Sequence, residues 1–527
     1  MRFLLKLLIL FASVLPVREA QSAAALERGA AITDPSTLRE LDRARFGLGR
    51  VLLPMRSIGA PLMNNELFVL PSMASVRKAL DAEFDKYLLR HKADLPNESI
   101  GVGNSYAFQL FDAALLDSAE ARFVLAGIVN RMDRAYVSEA NCGEIRLIYR
   151  LMRTDAGGVG EGAASPRLPM TLNVVFKTKS DVAIDGSGKP ITCAEIARRW
   201  LVAGDVAVTG AALAEKLMAD DGPLDLIRPE NIDRIETNLQ IAHAPKSPVR
   251  DFRTDYLLKV FNYNPHSLAF EEAPLENQLD RERILADKNL KAEFRTWLLD
   301  PAHLAALDRG TIIIPEKFLA TGAIAPTPVG FAASSLQPAF GLVQGDDASA
   351  EPLFKQADVV TALKKAAERG VTLQNIRSVA GFERRLNDAS CAGCHQTRGI
   401  GGFHFPGVDW LAAKPDNSTV VPASPHFLGD QIRRRDILAA FRDARRPDYS
   451  RGFSGRPTLR GSGELAGTEY ADGWGAHCYV QHTKAADNDP SFRGWTCAKG
   501  LACQALGTGS RIGMCFVGDR QSKAPAD

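Results

Sequence analysis

EIRLIYRLM at Glu144–Met152 and MTLNVVFKT at Met170–Thr178 are separated by the glycine-rich GGVGEG of 157–162. Both flanking runs are rich in apolar and β-branched residues and are short, which predicts strands. The glycines between them read as a flexible hairpin loop. They do not follow a strand and open a helix, as a dinucleotide-binding turn would. A hairpin at this point predicts a mostly antiparallel sheet. Outward from it, Glu236–His243, Tyr256–Asn262, Ser267–Phe270 and Thr311–Pro315 read as further strands, and Phe111–Met132 and Thr192–Leu201 read as helices. The segment 185–190 (DGSGKP) lacks phosphate-loop spacing and reads as a turn. Strands and helices alternate without a regular beat and no repeat is present, so residues 25–345 are expected to form an α+β domain.

The composition shifts after GDDASAEP at 345–352, which reads as a linker. Helical pattern then dominates through Val359–Arg369, Leu373–Leu386 and Asp430–Arg445. Just after the second of these stands CAGCH, Cys391–His395. Two thiols three apart with a histidine directly after form the attachment signature of a c-type haem. On a helical turn these positions share one face, so Cys391, Cys394 and His395 can meet one flat cofactor. The chain has eight Cys and nine His in 527 residues, which makes an accidental match a roughly 0.002-per-chain event. The other readings are a redox Cys-x-x-Cys pair or half of a zinc site, but no second ligand pair lies nearby. One covalent haem c is expected, with His395 as the proximal iron ligand.

Covalent haem attachment takes place outside the cytoplasm, and the N-terminus agrees. Met1–Lys6 is basic, Leu7–Val17 is apolar, and small residues follow at Ser22–Ala25. This is the layout of a signal peptide, placed at 1–24. The apolar run is short for a membrane span. A periplasmic or secreted chain with no stable membrane span after cleavage is expected. Net charge is only +2, which gives no pull toward nucleic acid.

Six cysteines remain in an oxidising compartment, where they are expected to pair. Cys142 and Cys193 are read as one disulfide, with two buried thiols as the alternative. Cys478, Cys497, Cys503 and Cys515 allow three pairings. They mark 461–527 as a small disulfide-stapled tail, since so short a piece builds little core by itself. A metal knuckle of His477, Cys478, His482 and Cys497 is the rival reading.

The ligand opposite His395 decides reactivity. No Met occurs between Met218 and Met514. His404, in GGFHFPG at 401–407, is the first distal candidate, and His426 and Met514 are weaker ones. Residues 431–460 carry nine Arg against three Asp. They are read either as a site for haem propionates or an acidic redox partner, or as a solvated helix face with internal ion pairs.

The CAGCH motif and the helices around it resemble the bacterial c-type cytochromes. That resemblance implies a small all-α haem domain, placed at 346–460, with haem-binding roles for Cys391, Cys394 and His395. CAGCHQTRGIGGFHFPG (391–407) is similar to one haem site of the di-haem cytochrome c peroxidases, although those enzymes carry two such motifs and this chain one. NRMDR (130–134) and CGEIR (142–146) are similar to segments of exported bacterial proteins that also carry CxxCH. One-electron transfer is therefore the expected function. The alternatives are a haem-dependent oxidoreductase with an open iron and a non-haem exported binding protein. No acid pair, nucleophile triad or zinc-protease motif stands out as an independent catalytic centre.

Overall fold

The structure is a computed structural model that describes residues 31–58, 60–100, 113–138, 140–154, 167–179, 191–245, 253–326, 353–391, 425–451, 477–497, 500–505 and 511–517. Its centre is a nine-stranded sheet whose strands pair antiparallel. The strands are β1 (Ala31–Ile32), β2 (Glu98–Ile100), β3 (Ala121–Arg131), β4 (Asn141–Arg153), β5 (Arg167–Lys179), β6 (Ile232–Pro245), β7 (Arg253–Asn264), β8 (Ala269–Ala273) and β9 (Gly322–Pro326). The main order is β1-β3-β4-β5-β6-β7-β8, with β2 on β6 and β9 on β7. The glycine-rich 157–162 and the segment 185–190 lie outside the described residues, but β4 and β5 are antiparallel neighbours, Ile148 opposite Asn173.

Successive strand residues point to opposite faces, and the two faces differ in chemistry. One carries Phe123, Leu147, Tyr149, Leu172, Val174, Leu239 and Phe261, all buried in the main core. Over it lie α1 (Pro35–Leu41), α2 (Ala74–Asp94), α3 (Cys193–Gly204) and α4 (Gly210–Met218), which contribute Leu38, Leu80, Trp200 and Leu213. The Thr192 side chain caps α3 by accepting from Glu195 N. The other face carries Glu144, Arg146, Arg150, Thr171, Asn173, Glu236 and Asn238, and these are buried as well.

A second core joins α5 (Arg281–Ala286), α6 (Lys288–Leu298), α7 (Pro301–Arg309), α8 (Gln356–Glu368) and α9 (Val379–Ala389). Ile284, Phe294, Leu307, Phe354, Val359 and Phe382 meet there. The helices on the two sides of position 345 thus pack against one another. Of the expected all-α haem domain, residues 392–424 lie outside the described set. Beyond them, α10 (Pro425–Arg442) leads to a three-stranded sheet of β10 (His477–Tyr479), β11 (Leu501–Ala505) and β12 (Ile512–Val517), in the order β10-β12-β11.

Three disulfides are present: Cys142–Cys193, Cys478–Cys503 and Cys497–Cys515. The first joins β4 to the start of α3. The other two staple the tail, so the knuckle cysteines Cys478 and Cys497 are held as disulfide sulfurs. Cys478, Cys497 and Cys515 do lie close together, but their sulfurs are already bonded to other sulfurs. Among the described residues no helix is long and apolar enough to cross a membrane.

Two local expectations are corrected. Phe111–Met132 is not a helix: Ala113–Asp117 is a 3₁₀ turn and 121–131 is β3. The strand is buried along nearly its whole length, so it shows no alternation, and an apolar run of that kind carries no period to separate strand from helix. Thr311–Pro315 joins no sheet either. Its alternation is real, since Ile312 and Ile314 are buried while Ile313 is 43% exposed. The pairing partner is a side chain, however: Asn277 Nδ2 donates to Ile312 O at 3.2 Å and Asn277 Oδ1 accepts from Ile314 N at 3.1 Å.

Candidate functional site

The motif begins where α9 ends. Ser378 caps α9 by accepting from Gly381 N, and Ser390 Oγ donates to Asn387 O at 2.7 Å at the far end. Every residue from Ala380 to Ala389 is buried. The sequence FERRLND looks like a solvated helix face but is enclosed. Its arginines find partners inside the protein: Arg384 pairs with Asp388 at 2.8 Å. Arg385 Nε donates to Leu307 O at 2.9 Å and its Nη2 donates to Asp308 O at 2.7 Å. The tail closes the other side. Ser491 Oγ accepts from Arg377 N at 3.0 Å, Ala380 packs with Tyr479, Phe492 and Trp495, and the Arg384 guanidinium lies 5.5 Å from the centre of a Trp495 ring. A Cβ on Gly381 would lie 2.2 Å from Ser491 Oγ, so only glycine admits this approach.

Cys391 follows, half-buried. Its backbone N–H donates to Gln278 Oε1 at 3.1 Å. It packs, with Tyr256, on Leu258, Val260, Ala273, Leu275, Ala323 and Ala325. This surface is apolar and partly built of alanines, which suits the edge of a flat apolar ring. Beside it begins the polar face of the sheet. Leu258 is opposite Asn238, Asn238 opposite Thr171, and Thr171 opposite Arg150. Thr171 Oγ1, Asn173 Oδ1 and Asn238 Oδ1 are buried with no hydrogen-bond partner among the described residues. Orphaned polar atoms of this kind are rare in a native interior and point to a further group. Small apolar side chains beside hydrogen-bonding ones fit an amphipathic ring with polar substituents, as a haem is.

The same face holds an ion-pair ladder. Glu144 is held by Arg134 at 3.2 Å, Arg146 at 3.0 Å and Arg234 at 3.0 Å. Arg146 and Arg234 also reach Glu236, at 3.1 and 2.9 Å, and Arg134 pairs with Glu276. Burial opposes ionisation of Glu144, but the three guanidinium groups prevail and hold it well below the usual carboxylate range. Asp133 accepts from Arg131, Arg433 and Arg451 at 2.8, 2.9 and 2.7 Å. NRMDR and CGEIR thus come together, with Arg131 opposite Glu144. Gly143 makes the junction at φ +87°, where a Cβ would lie 2.4 Å from the Arg131 carbonyl oxygen.

The arginine-rich segment is largely spent in this way. Besides Arg433 and Arg451, Arg434 pairs with Asp430, Arg435 with Asp205, and Arg442 and Arg445 with Asp443. These six arginines thus all take part in ion pairs within the chain. Cys394, His395 and His404 lie outside the described residues. His426 lies in the first turn of α10 rather than before it, and Met514 lies on β12 opposite His477 in the tail.

Glu383 was not singled out by sequence. It sits on α9 at 5% exposure, and Glu383 Oε2 has no hydrogen-bond partner among the described residues. Burial, only partly offset by Arg384, pushes its carboxyl up to about 8. Unfolding releases its proton above the ordinary carboxylate value, so stability declines from about pH 5 to about pH 8 and stays depressed above that. Glu383→Gln should remove this decline, raising stability by a few kcal/mol at pH 9 and changing little at pH 5. Thermal unfolding across pH 5–9 checks it, and parallel curves for the two proteins would contradict it. Set against family models, curated proteins and solved structures, the chain matches none of them.

Proposed function

We propose that this chain is an exported mono-haem c-type cytochrome acting in one-electron transfer. The observation that carries the reading is the cysteine pairing. All six cysteines outside the 391–395 motif are joined to each other, which leaves the motif's thiols to one another or to a cofactor. Cys391 and Cys394 would hold the haem by thioether bonds and His395 would supply the proximal imidazole. When bound, the haem supplies a one-electron iron couple. The chain's own part is to hold and shield. Gln278 fixes the backbone at Cys391, α9 is pinned from both sides, and Leu258, Val260 and Ala325 offer a dry wall.

The test is a pyridine haemochrome spectrum of the full chain produced with a haem-maturation system. The wild type should show covalent haem, and Cys391→Ala should lose one thioether and shift the absorption band accordingly. No haem in the wild type would sink the reading and leave the non-haem binding protein. Slow or absent carbon monoxide binding by the native ferrous protein is expected of a carrier. Rapid binding would favour the open-iron oxidoreductase.

A further inference from the structure

We infer that the four sulfurs of the tail, on Cys478, Cys497, Cys503 and Cys515, form a zinc site when the chain is reduced. The tail then has two closed forms, one held by disulfides and one by metal. This is independent of the haem reading. It also differs from the histidine-containing knuckle considered above, since all four ligands are sulfur. Strand pairing brings the sulfurs together. Cys503 is opposite Cys515, and Cys478 is opposite Gly513, two residues before Cys515. Residues in direct register, or two apart on one strand, share a face. The three strand cysteines therefore project from one face of the β10-β12-β11 sheet. Gly513 leaves the space between them: a Cβ there would lie 2.9 Å from Cys503 Sγ. Cys497, from the segment before β11, joins the same cluster. The sulfurs of Cys478, Cys497 and Cys515 all lie within 4.8 Å of one another, and Cys503 is bonded to the first of them.

The chemistry of the cluster matches. Tetrahedral zinc with Zn–S bonds of about 2.3 Å holds its sulfurs about 3.8 Å apart. Sulfurs already gathered within 4.8 Å reach that spacing by side-chain rotation, with the strand register kept. Cys478 and Cys515 are fully buried, as suits a closed structural site. Four thiolates favour zinc over the hard cations that seek oxygen. The exchange balances. Two dithiol reductants cleave the two S–S bonds and become disulfides themselves, passing four electrons and four protons to the tail. One Zn²⁺ then takes the four sulfurs as thiolates, and the four thiol protons leave to solvent. The apolar clusters of the tail are small, so closure by metal takes over the work of closure by disulfide. What it preserves is the wall behind α9. Ser491 and Trp495, which meet Arg377 and Arg384, lie between Cys478 and Cys497.

The test is cysteine alkylation of the full chain, reduced with a trialkylphosphine under anaerobic conditions. Modified residues are mapped by peptide mass spectrometry, with and without one equivalent of zinc. Zinc should slow alkylation of Cys478, Cys497, Cys503 and Cys515 together, by about tenfold or more, since the metal takes the thiolates that react. Co²⁺ in its place should give the absorption of a tetrahedral four-thiolate site, and Cys478→Ala should lose that form of the spectrum. The zinc-loaded reduced chain should resist proteolysis between 478 and 517 as the oxidised chain does, while the metal-free reduced chain is cut there. Equal alkylation with and without zinc would overturn the site. An unchanged cobalt spectrum in the variant, or protection confined to the other four cysteines, would place the metal elsewhere and do the same. Protected tail cysteines in a chain that is still cut would show metal on an open tail and overturn the closed form.

Discussion

Asp133→Asn is expected to destabilise the protein by about 3–5 kcal/mol, the usual result of removing one partner from a buried ion pair. Asp133 is 2% exposed. Arg131, Arg433 and Arg451 all donate to it, and Arg434 stands near enough to add its field. Asparagine keeps the shape and removes the charge, so the desolvated guanidinium groups lose one shared counterion, while Arg433 and Arg434 keep Asp430. Loss should also spread along the chain, because Asp133 joins the end of β3 to α10 and to Arg451. The pH dependence carries a second signature. Burial opposes the Asp133 charge, but Arg131 and then Arg434 outweigh it and hold the carboxyl well below its ordinary value. The stabilisation is therefore full above the ordinary carboxylate value and is lost as pH falls through the depressed one. The variant should show a shallower acid limb in thermal unfolding than the wild type. Arg442→Ala, which opens a surface pair with Asp443, should leave the melting temperature unchanged. A wild-type melting curve for Asp133→Asn would show that the arginines are solvated rather than enclosed.

Removing the Cys142–Cys193 disulfide by a double change to alanine is expected to be as severe, at about 4 kcal/mol. The bond closes a segment with a sequence separation of 51 residues, and loop-closure entropy for that length gives this value in the chain-entropy account. Cys142 is fully buried near the start of β4 and precedes Gly143 and Glu144, so the bond also fixes the strand end where the ion ladder starts. Denaturant unfolding of the double variant against the wild type measures it. A change below about 1 kcal/mol would mean that the unfolded chain is already held together across this segment. Opening the tail disulfides should instead loosen the wall behind α9 and leave the main sheet intact, because among the described residues the apolar cluster of these cysteines contains Leu501 and no residue of the main sheet.

Much of the sheet was legible in the sequence because its signal is local. Glu144–Met152 and Met170–Thr178 alternate charged or polar residues with apolar ones and are flanked by turn residues. The helix of 74–94 was not singled out, since few of its residues reach the core; Val76, Leu80 and Tyr87 do, while charges occupy most of its surface. Strand 121–131 was hidden by being enclosed on both sides. The motif at 391–395 could be read because its chemistry is contained in five residues. Its surroundings could not, because Tyr256, Gln278 and Ala325 meet Cys391 only through strand pairing and helix packing far along the chain. The arginines of 433–451 were ambiguous for the same reason: Asp133 lies 300 positions from Arg433.

The two-faced sheet has a consequence for how the chain finds its pairing. A slip of one residue in β4 would turn Arg146 and Arg150 into the layer of Leu172, Val174 and Phe261, and Leu147 and Tyr149 into the guanidinium layer. Where one face meets water, a misplaced charge can be hydrated and the error is forgiven. Here both faces are closed, so each error is penalised twice, as an ion without a partner and as a hydrophobe among ions. The alternation of charge along β4 and β6 thus works as a proofreading code for strand alignment.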